Sequence, residues 1–158
     1  MNQFSIRPAT ERDAEAVQCC LETAFAPYAT KYSRDAFLDT VPTLENVYQR
    51  FTWMSLFVAV DESGSIFGTI GCYVKTPEEG HVRGMAVREA WQGKGIAQQL
   101  LSAAESELRR RGCVRVSLDT TDPLQRAIHF YEKQGYRRSG EITDFYGMPL
   151  HEFIKELG

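Results

Sequence analysis

Apolar and polar residues alternate at the start of the chain: Phe4, Ile6 and Pro8 are separated by Ser5 and Arg7, which predicts a short strand. The period then lengthens. Ala14, Val17, Leu21 and Phe25 recur at helical spacing, with Thr10 as cap, Asp13 well placed for the helix dipole and Pro27 as stop. Residues 28–53 carry less pattern. Ser33 and Thr43 can each cap a short helix on either side of Pro42, the second running through Val47, Tyr48 and Phe51. Leu56, Phe57, Val58, Ala59 and Val60 read as a buried strand, which the turn Glu62-Ser63-Gly64-Ser65 folds back into residues 66–74 as a hairpin. A second turn near Pro77 and Gly80 leads into a strand over residues 81–87.

Beyond that strand, Ile96, Leu100, Leu101, Ala104 and Leu108 form one apolar stripe on a helix that ends at Gly112. Val114, Val116 and Leu118 alternate as a strand. Leu124, Ala127, Ile128 and Tyr131 mark a further helix stopped by Gly135, and two late strands pass through Ile142 and Phe153. The order is β-α-α-β-β-β-α-β-α-β-β. A three-strand meander followed by β-α-β-α predicts an α/β (α+β) architecture: a single mixed, mostly antiparallel sheet with helices on both faces. The 158 residues contain no internal repeat and suit one domain over 1–158.

Charge and cysteine content narrow the function classes. A net charge of −3 and a pI of about 5.7 argue against a nucleic-acid partner, whose binders carry a basic face. Cys19, Cys20, Cys72 and Cys113 form no C-x-x-C pair and no Cys/His cluster, so no metal is expected and free thiols in a reducing compartment are. Neither a signal peptide nor an apolar run near the ~20 residues of a membrane span is visible, so a cytoplasmic protein without membrane partners is expected.

The segment from Met85, Ala86 and Val87 through Gln92, Gly93, Lys94, Gly95, Ile96 and Ala97 carries the strongest chemical signal. A strand ends, a glycine-rich turn follows, and an amphipathic helix begins. Glycine lets a ligand approach the main chain, and the first helical turn offers free N–H groups to an anion. The P-loop pattern fails because no Ser or Thr completes it, and the dinucleotide fingerprint fails at Gln98. The pattern Q/R-x-x-G-x-G/A is met by Gln92, Gly95 and Ala97, and here the chain resembles the GNAT N-acetyltransferases. A strand-helix turn without a ligand is the alternative for the motif alone.

The resemblance implies that amides of the loop from Gln92 to Ala97 bind the pyrophosphate of acetyl-CoA as cosubstrate. It also implies that main-chain groups of Met85 and Val87 pair with the pantetheine arm, on a strand that bulges and splays from its neighbour. A second motif, A-x-x-x-Y-x-x-x-G-F/Y, is similar to Ala127-Tyr131-Gly135-Tyr136. By that resemblance Tyr131 protonates the departing thiolate, although its helical stripe equally suits a core residue. The family's frequent asparagine three residues before the alanine is Leu124 here, with Thr121 and Asp122 the nearest polar substitutes.

The acceptor amine must lose a proton. With a lysine-like pKa of ~10.4, freeing the lone pair at pH 7 costs about 3.4 units, or ~4.6 kcal/mol. Family members that use a base on this strand often place Glu or His where His81 stands. Glu79 is the second candidate, and an acceptor acting through water the third. Unbroken alternation would point His81, Arg83, Met85 and Val87 to one side. Arg109, Arg110 and Arg111 close a helix and read as structural; Trp53 and Trp91 read as packing. The resemblance thus implies acetyl transfer by direct attack in a ternary complex, with a small-molecule or peptide amine acceptor met by residues 26–53 and Phe145, Tyr146 and Gly147. A homodimer is left open, and a non-catalytic acyl-CoA-binding module is the rival reading.

Overall fold

The computed structural model describes residues 3–158 and contains one seven-stranded sheet. The strands are β1 (Phe4–Pro8), β2 (Ser55–Asp61), β3 (Ile66–Val74), β4 (Glu79–Val87), β5 (Arg115–Thr121), β6 (Arg137–Phe145) and β7 (Met148–Glu156). Their spatial order is β1-β2-β3-β4-β5-β7-β6, antiparallel throughout except between β4 and β5. The expected mixed, mostly antiparallel sheet is what the chain forms.

Helices α1 (Ala14–Phe25), α2 (Arg34–Thr40) and α3 (Leu44–Arg50) precede β2, one more than the order read from the sequence. Ser33 and Thr43 each cap one: their hydroxyls accept the Ala36 and Asn46 amides. The first helix opens at Thr10 as expected, through a short 3-10 turn (Glu11–Asp13) that runs into α1. Asp13 reaches back to accept the Thr10 amide at 2.8 Å, so the carboxylate is the cap acceptor. α1 and α3 cover one face of the sheet, with Val17, Leu21 and Val47 packed on Val58, Val60 and Ala86.

The opposite face carries α4 (Ile96–Arg110) and α5 (Gln125–Lys133). The α4 stripe of Ile96, Leu100, Leu101, Ala104 and Leu108 is buried as its period predicts, against Val82, Val87, Val116 and Leu118. α5 adds Ile128 and Tyr131 to the same core. Burial of each such side chain stabilises by about 1.5–3 kcal/mol, which fixes both helices on the sheet.

Two irregularities in β4 shape everything that follows. Thr69 pairs with Ala86 and Gly71 with Arg83, so Ile70 alone lies opposite Gly84 and Met85. That is a one-residue bulge, and Gly84 takes φ +66°, a conformation glycine adopts without strain. Before the bulge, Val82 faces α4 while His81 and Arg83 face Tyr73 and Asp39. After it, Met85 and Val87 pack on the α4 side, and Ala86 packs against α1. The expectation that His81, Arg83, Met85 and Val87 share a face is therefore overturned, because the extra residue inverts the alternation between them.

The second irregularity is divergence. β4 pairs with β5 only from Glu79 to Val82, while β5 continues through Thr121 against β7. The remaining length of β4 thus has no strand beside it on that flank, and a cleft of about 750 Å³ opens there.

Candidate active site

At one end of the cleft lies the turn into α4. Gly93 and Gly95 have φ of +79° and +80°, and nothing stands within 4 Å of where a Cβ would sit on either. The backbone amides of residues 93–98 have no hydrogen-bond acceptor among the described residues. A row of unpaired N–H groups at the positive end of a helix suits a phosphate anion. The Gln92 amide is not part of this row, since it donates to the Glu89 carbonyl at 3.1 Å. Its side chain instead ties the turn down: Nε2 donates to the Val87 carbonyl at 3.0 Å, and Oε1 accepts from Arg126 of α5 at 2.7 Å. Trp91 stacks on Phe67 at 3.9 Å between centroids, and Lys94 lies over the Trp91 ring. Of the nominated cofactor residues, Met85, Ala86, Val87, Gln92, Gly93, Gly95, Ile96 and Ala97 line the cleft; Lys94 does not.

Tyr131 reaches the same cleft from α5. It is 8% exposed, packed edge-on to Tyr136, and its hydroxyl has no hydrogen-bond partner among the described residues. Burial pushes its ionisation well above the ordinary tyrosine range, so the hydroxyl keeps its proton at neutral pH. Core residue and cleft residue are both correct descriptions of it. Leu124 lines the cleft too. Neither suggested substitute for an asparagine there is free, because Thr121 bonds the Tyr32 hydroxyl and Asp122 sits 2.9 Å from the His151 ring.

His81 lies on the other face of β4, buried, with Nδ1 2.8 Å from Ser117 Oγ. Ser117 in turn donates to Glu79 Oε2 at 3.2 Å. Burial raises the Glu79 pKa, but hydrogen bonds from Arg115 and Ser117 and the Lys75 charge outweigh it and hold the group ionised below its ordinary value. An ionised carboxylate only accepts, so Ser117 donates to it and His81 Nδ1–H donates to Ser117. That leaves Nε2 as the ring's bare acceptor. Asp119 Oδ2 lies 3.5 Å from Nε2, in the same cleft.

Burial, reinforced by the Lys75 and Arg83 charges, lowers the His81 pKa to about 4, so the ring is neutral across the physiological range. Burial and the Glu152 charge push Asp119 the other way, above the usual carboxylate value. Glu79 does not line the cleft and reaches it only through Ser117 and His81.

Of the region expected to meet an acceptor, only part reaches the cleft. Tyr28, Tyr32 and Phe145 line it, whereas Phe37 packs edge-on to Tyr32 and Tyr146 points to solvent. Ser33 Oγ donates to the Tyr146 carbonyl at 2.7 Å, which joins this wall to the β6–β7 turn. Sequence reasoning missed Ser117, Asp119, Arg50 and Arg126. Ser117 and Asp119 had a faint signal as polar residues alternating with Val116 and Leu118; the two arginines had none. No His, Cys, Asp or Glu cluster among the described residues could hold a metal, and no helix there is long and apolar enough to cross a membrane.

Comparison with known proteins adds a family context. The model described as "Acetyltransferase (GNAT) family" matches residues 21–136. An acetyltransferase of Agrobacterium fabrum is 40% identical over 62 residues, covering 39% of this chain and 44% of that protein. The chain matches about half the length, or less, of the curated relatives found. A GNAT-family acetyltransferase structure from Staphylococcus aureus Mu50 superposes with a TM-score of 0.80 at 18% identity, over 99% of this chain and 100% of that one. The PaiA N-acetyltransferase of Thermoplasma acidophilum, solved with coenzyme A, gives 0.75 at 18% identity over 98% and 99%. At such identities the solved structures speak for the fold.

Proposed function

The chain belongs to the GNAT acetyltransferase family, and from that premise we propose that residues 1–158 act as one catalytic domain transferring acetyl from acetyl-CoA to an amine, by direct attack in a ternary complex. The carrying observation is the cleft itself: a row of unpaired amides at 93–98 and an unpaired flank of β4 open onto the same space as His81, Asp119 and Tyr131.

The fit to the cosubstrate rests on that amide row and on the empty space over Gly93 and Gly95. The amides hold the pyrophosphate, and the main chain around Met85 and Val87, with no strand beside it, accepts the pantetheine arm as an added strand. Acetyl-CoA supplies an activated thioester; the protein supplies position and proton management. The bulge separates the partners: cosubstrate on the α4 side of β4, acceptor on the His81 side. Holding both in one cleft replaces a bimolecular encounter, an effect worth up to ~7–11 kcal/mol of barrier in well-oriented systems.

His81 accepts the amine proton at Nε2, with Asp119 beside it to offset the charge and the Ser117–Glu79 pair holding Nδ1–H in place. Tyr131 keeps its proton and donates it to the departing sulfur. A covalent acetyl-enzyme has no support, because Cys20 and Cys72 are buried, their pKa values pushed up by burial to about 11 and about 12, and no cysteine lines the cleft. The test is thiol release from acetyl-CoA across a panel of amines. Turnover supports transfer; tight acetyl-CoA binding with no turnover against any amine supports the non-catalytic binding module instead.

A further inference from the structure

Arg50, at the end of α3, is 8% exposed and lines the cleft, yet its guanidinium makes no side-chain hydrogen bond among the described residues. The bulge brings the backbone up to it: a Cβ on Gly84 would lie 3.1 Å from Arg50 Nη1. Arg83 faces the same space from β4 and bonds only Asp39, at a long 3.4 Å. Of the two guanidinium groups only Arg83 therefore bonds a carboxylate, and that carboxylate is itself 42% exposed at the side chain. Burial, with the Arg83 charge adding to it and Asp39 opposing, lowers the Arg50 pKa to about 10, so the group stays charged at neutral pH.

A buried cation without a partner is unfavourable, and proteins keep one where something else completes it. The planar guanidinium donors match a carboxylate in paired geometry. Asp119 and His81, one strand position farther along the same face, provide the opposite environment, where an amine would be held. The cleft is thus polarised, cationic toward α3 and acidic toward β5.

We propose that the acetyl acceptor is an amine that also bears a carboxylate, an amino acid in the simplest case, with its carboxylate held by Arg50 and Arg83. The inference rests on the acetyl-transfer reading for its reaction, although the anion site exists independently of it. It also fits a glycine at position 84, since a Cβ there would press on Arg50 Nη1.

The experiment compares the common free L-amino acids with their primary carboxamides and with the amines left when the carboxylate is removed, each by thiol release from acetyl-CoA. The best acid should exceed its own carboxamide by about 100-fold in kcat/KM, since the neutral analogue leaves the guanidinium groups unpaired. Arg50→Met should collapse that ratio by about 100-fold while acetyl-CoA affinity, read by calorimetry, stays put. Arg83→Gln, at a more exposed position that folding tolerates, should lower the ratio about tenfold, and Arg50→Lys should restore part of it. Binding of the same compounds to the CoA-saturated protein is measured in parallel. Selective binding of acids, lost in Arg50→Met, with no turnover of any amine would sink the transfer reading and leave the anion site standing. Equal use of acids and carboxamides by the wild type, or acids that neither bind nor react, overturns the inference.

Discussion

The two ends of the cleft are built by different means. The end at the turn into α4 presents main chain: amides at 93–98, glycines without side chains, and a flank of β4 with no strand beside it. The end toward α3 and β5, the proposed acceptor end, presents side chains: Arg50, Arg83, His81 and Asp119, set on three different elements. Main-chain recognition tolerates few residues but does so at fixed spacing, whereas side-chain recognition admits many residues at no fixed spacing. The first leaves a motif in the sequence and the second leaves almost none.

Tyr131 is the exception that tests this division most sharply, being the side chain proposed to act at the main-chain end. Tyr131→Phe should lower kcat by ~10²–10⁴-fold with little change in acetyl-CoA affinity. The loss should shrink for a thioester whose thiol is more acidic. Near-wild-type kcat with only a lower Tm would reduce Tyr131 to packing.

Gly95→Asp attacks the main-chain end directly, adding a carboxylate at the proposed pyrophosphate site and a side chain at φ +80°. Acetyl-CoA affinity should fall by roughly 10²–10³-fold in a folded protein, read by calorimetry, while the discrimination among acceptors stays as it was. Unchanged affinity would misplace the site.

His81→Gln probes the side-chain end and should lower kcat by about 100-fold. The pH profile carries the sharper sign. Because the His81 pKa is lowered to about 4, its protonated form is less than about a tenth above roughly pH 5, and the wild-type profile should show no acidic limb near 6.5. The rate should climb with pH as the free-amine fraction grows. A limb at the ordinary histidine value would show that the ring is not held as described.

The smallest effect concerns Leu124, the N-cap of α5, which makes no side-chain cap bond. Leu124→Asn should stabilise the helix by about 1 kcal/mol, a rise of about 2–4 °C in Tm. Acetyl-CoA affinity should hold, because the main chain already supplies the grip. A gain in affinity well beyond that would show that a side chain matters at this end too.

Much of the fold was legible because period alone identifies a stripe such as Ile96 to Leu108 or an alternation such as Val116 and Leu118. The caps at Ser33 and Thr43 were legible for the same local reason. The face of His81 relative to Met85 was not, since one glycine in φ > 0 cancels the alternation rule and strand periodicity carries no mark of a bulge. Arg50 was illegible as a site residue because an arginine closing a short helix ordinarily serves the helix dipole. Only the approach of Gly84 from another element shows that this one is buried. Ser117 and Asp119 needed the parallel pairing of β4 with β5, a contact between residues 36 or more positions apart.

The bulge at Gly84 has a consequence for how such a chain can change over generations. Residues 81 and 83 precede it and look toward Tyr73 and Asp39, on the side proposed for the acceptor, while 85 and 87 follow it and look toward α4. Substitutions at the first pair can therefore redirect acceptor preference while the grip on the cosubstrate persists. A deletion at position 84 would straighten the strand yet leave these faces as they are, since Met85 would follow Arg83 in regular alternation, but it would remove the glycine whose bare backbone leaves room beside Arg50. Drift in preference is then expected to accumulate as replacements at 81 and 83 rather than at 85 and 87.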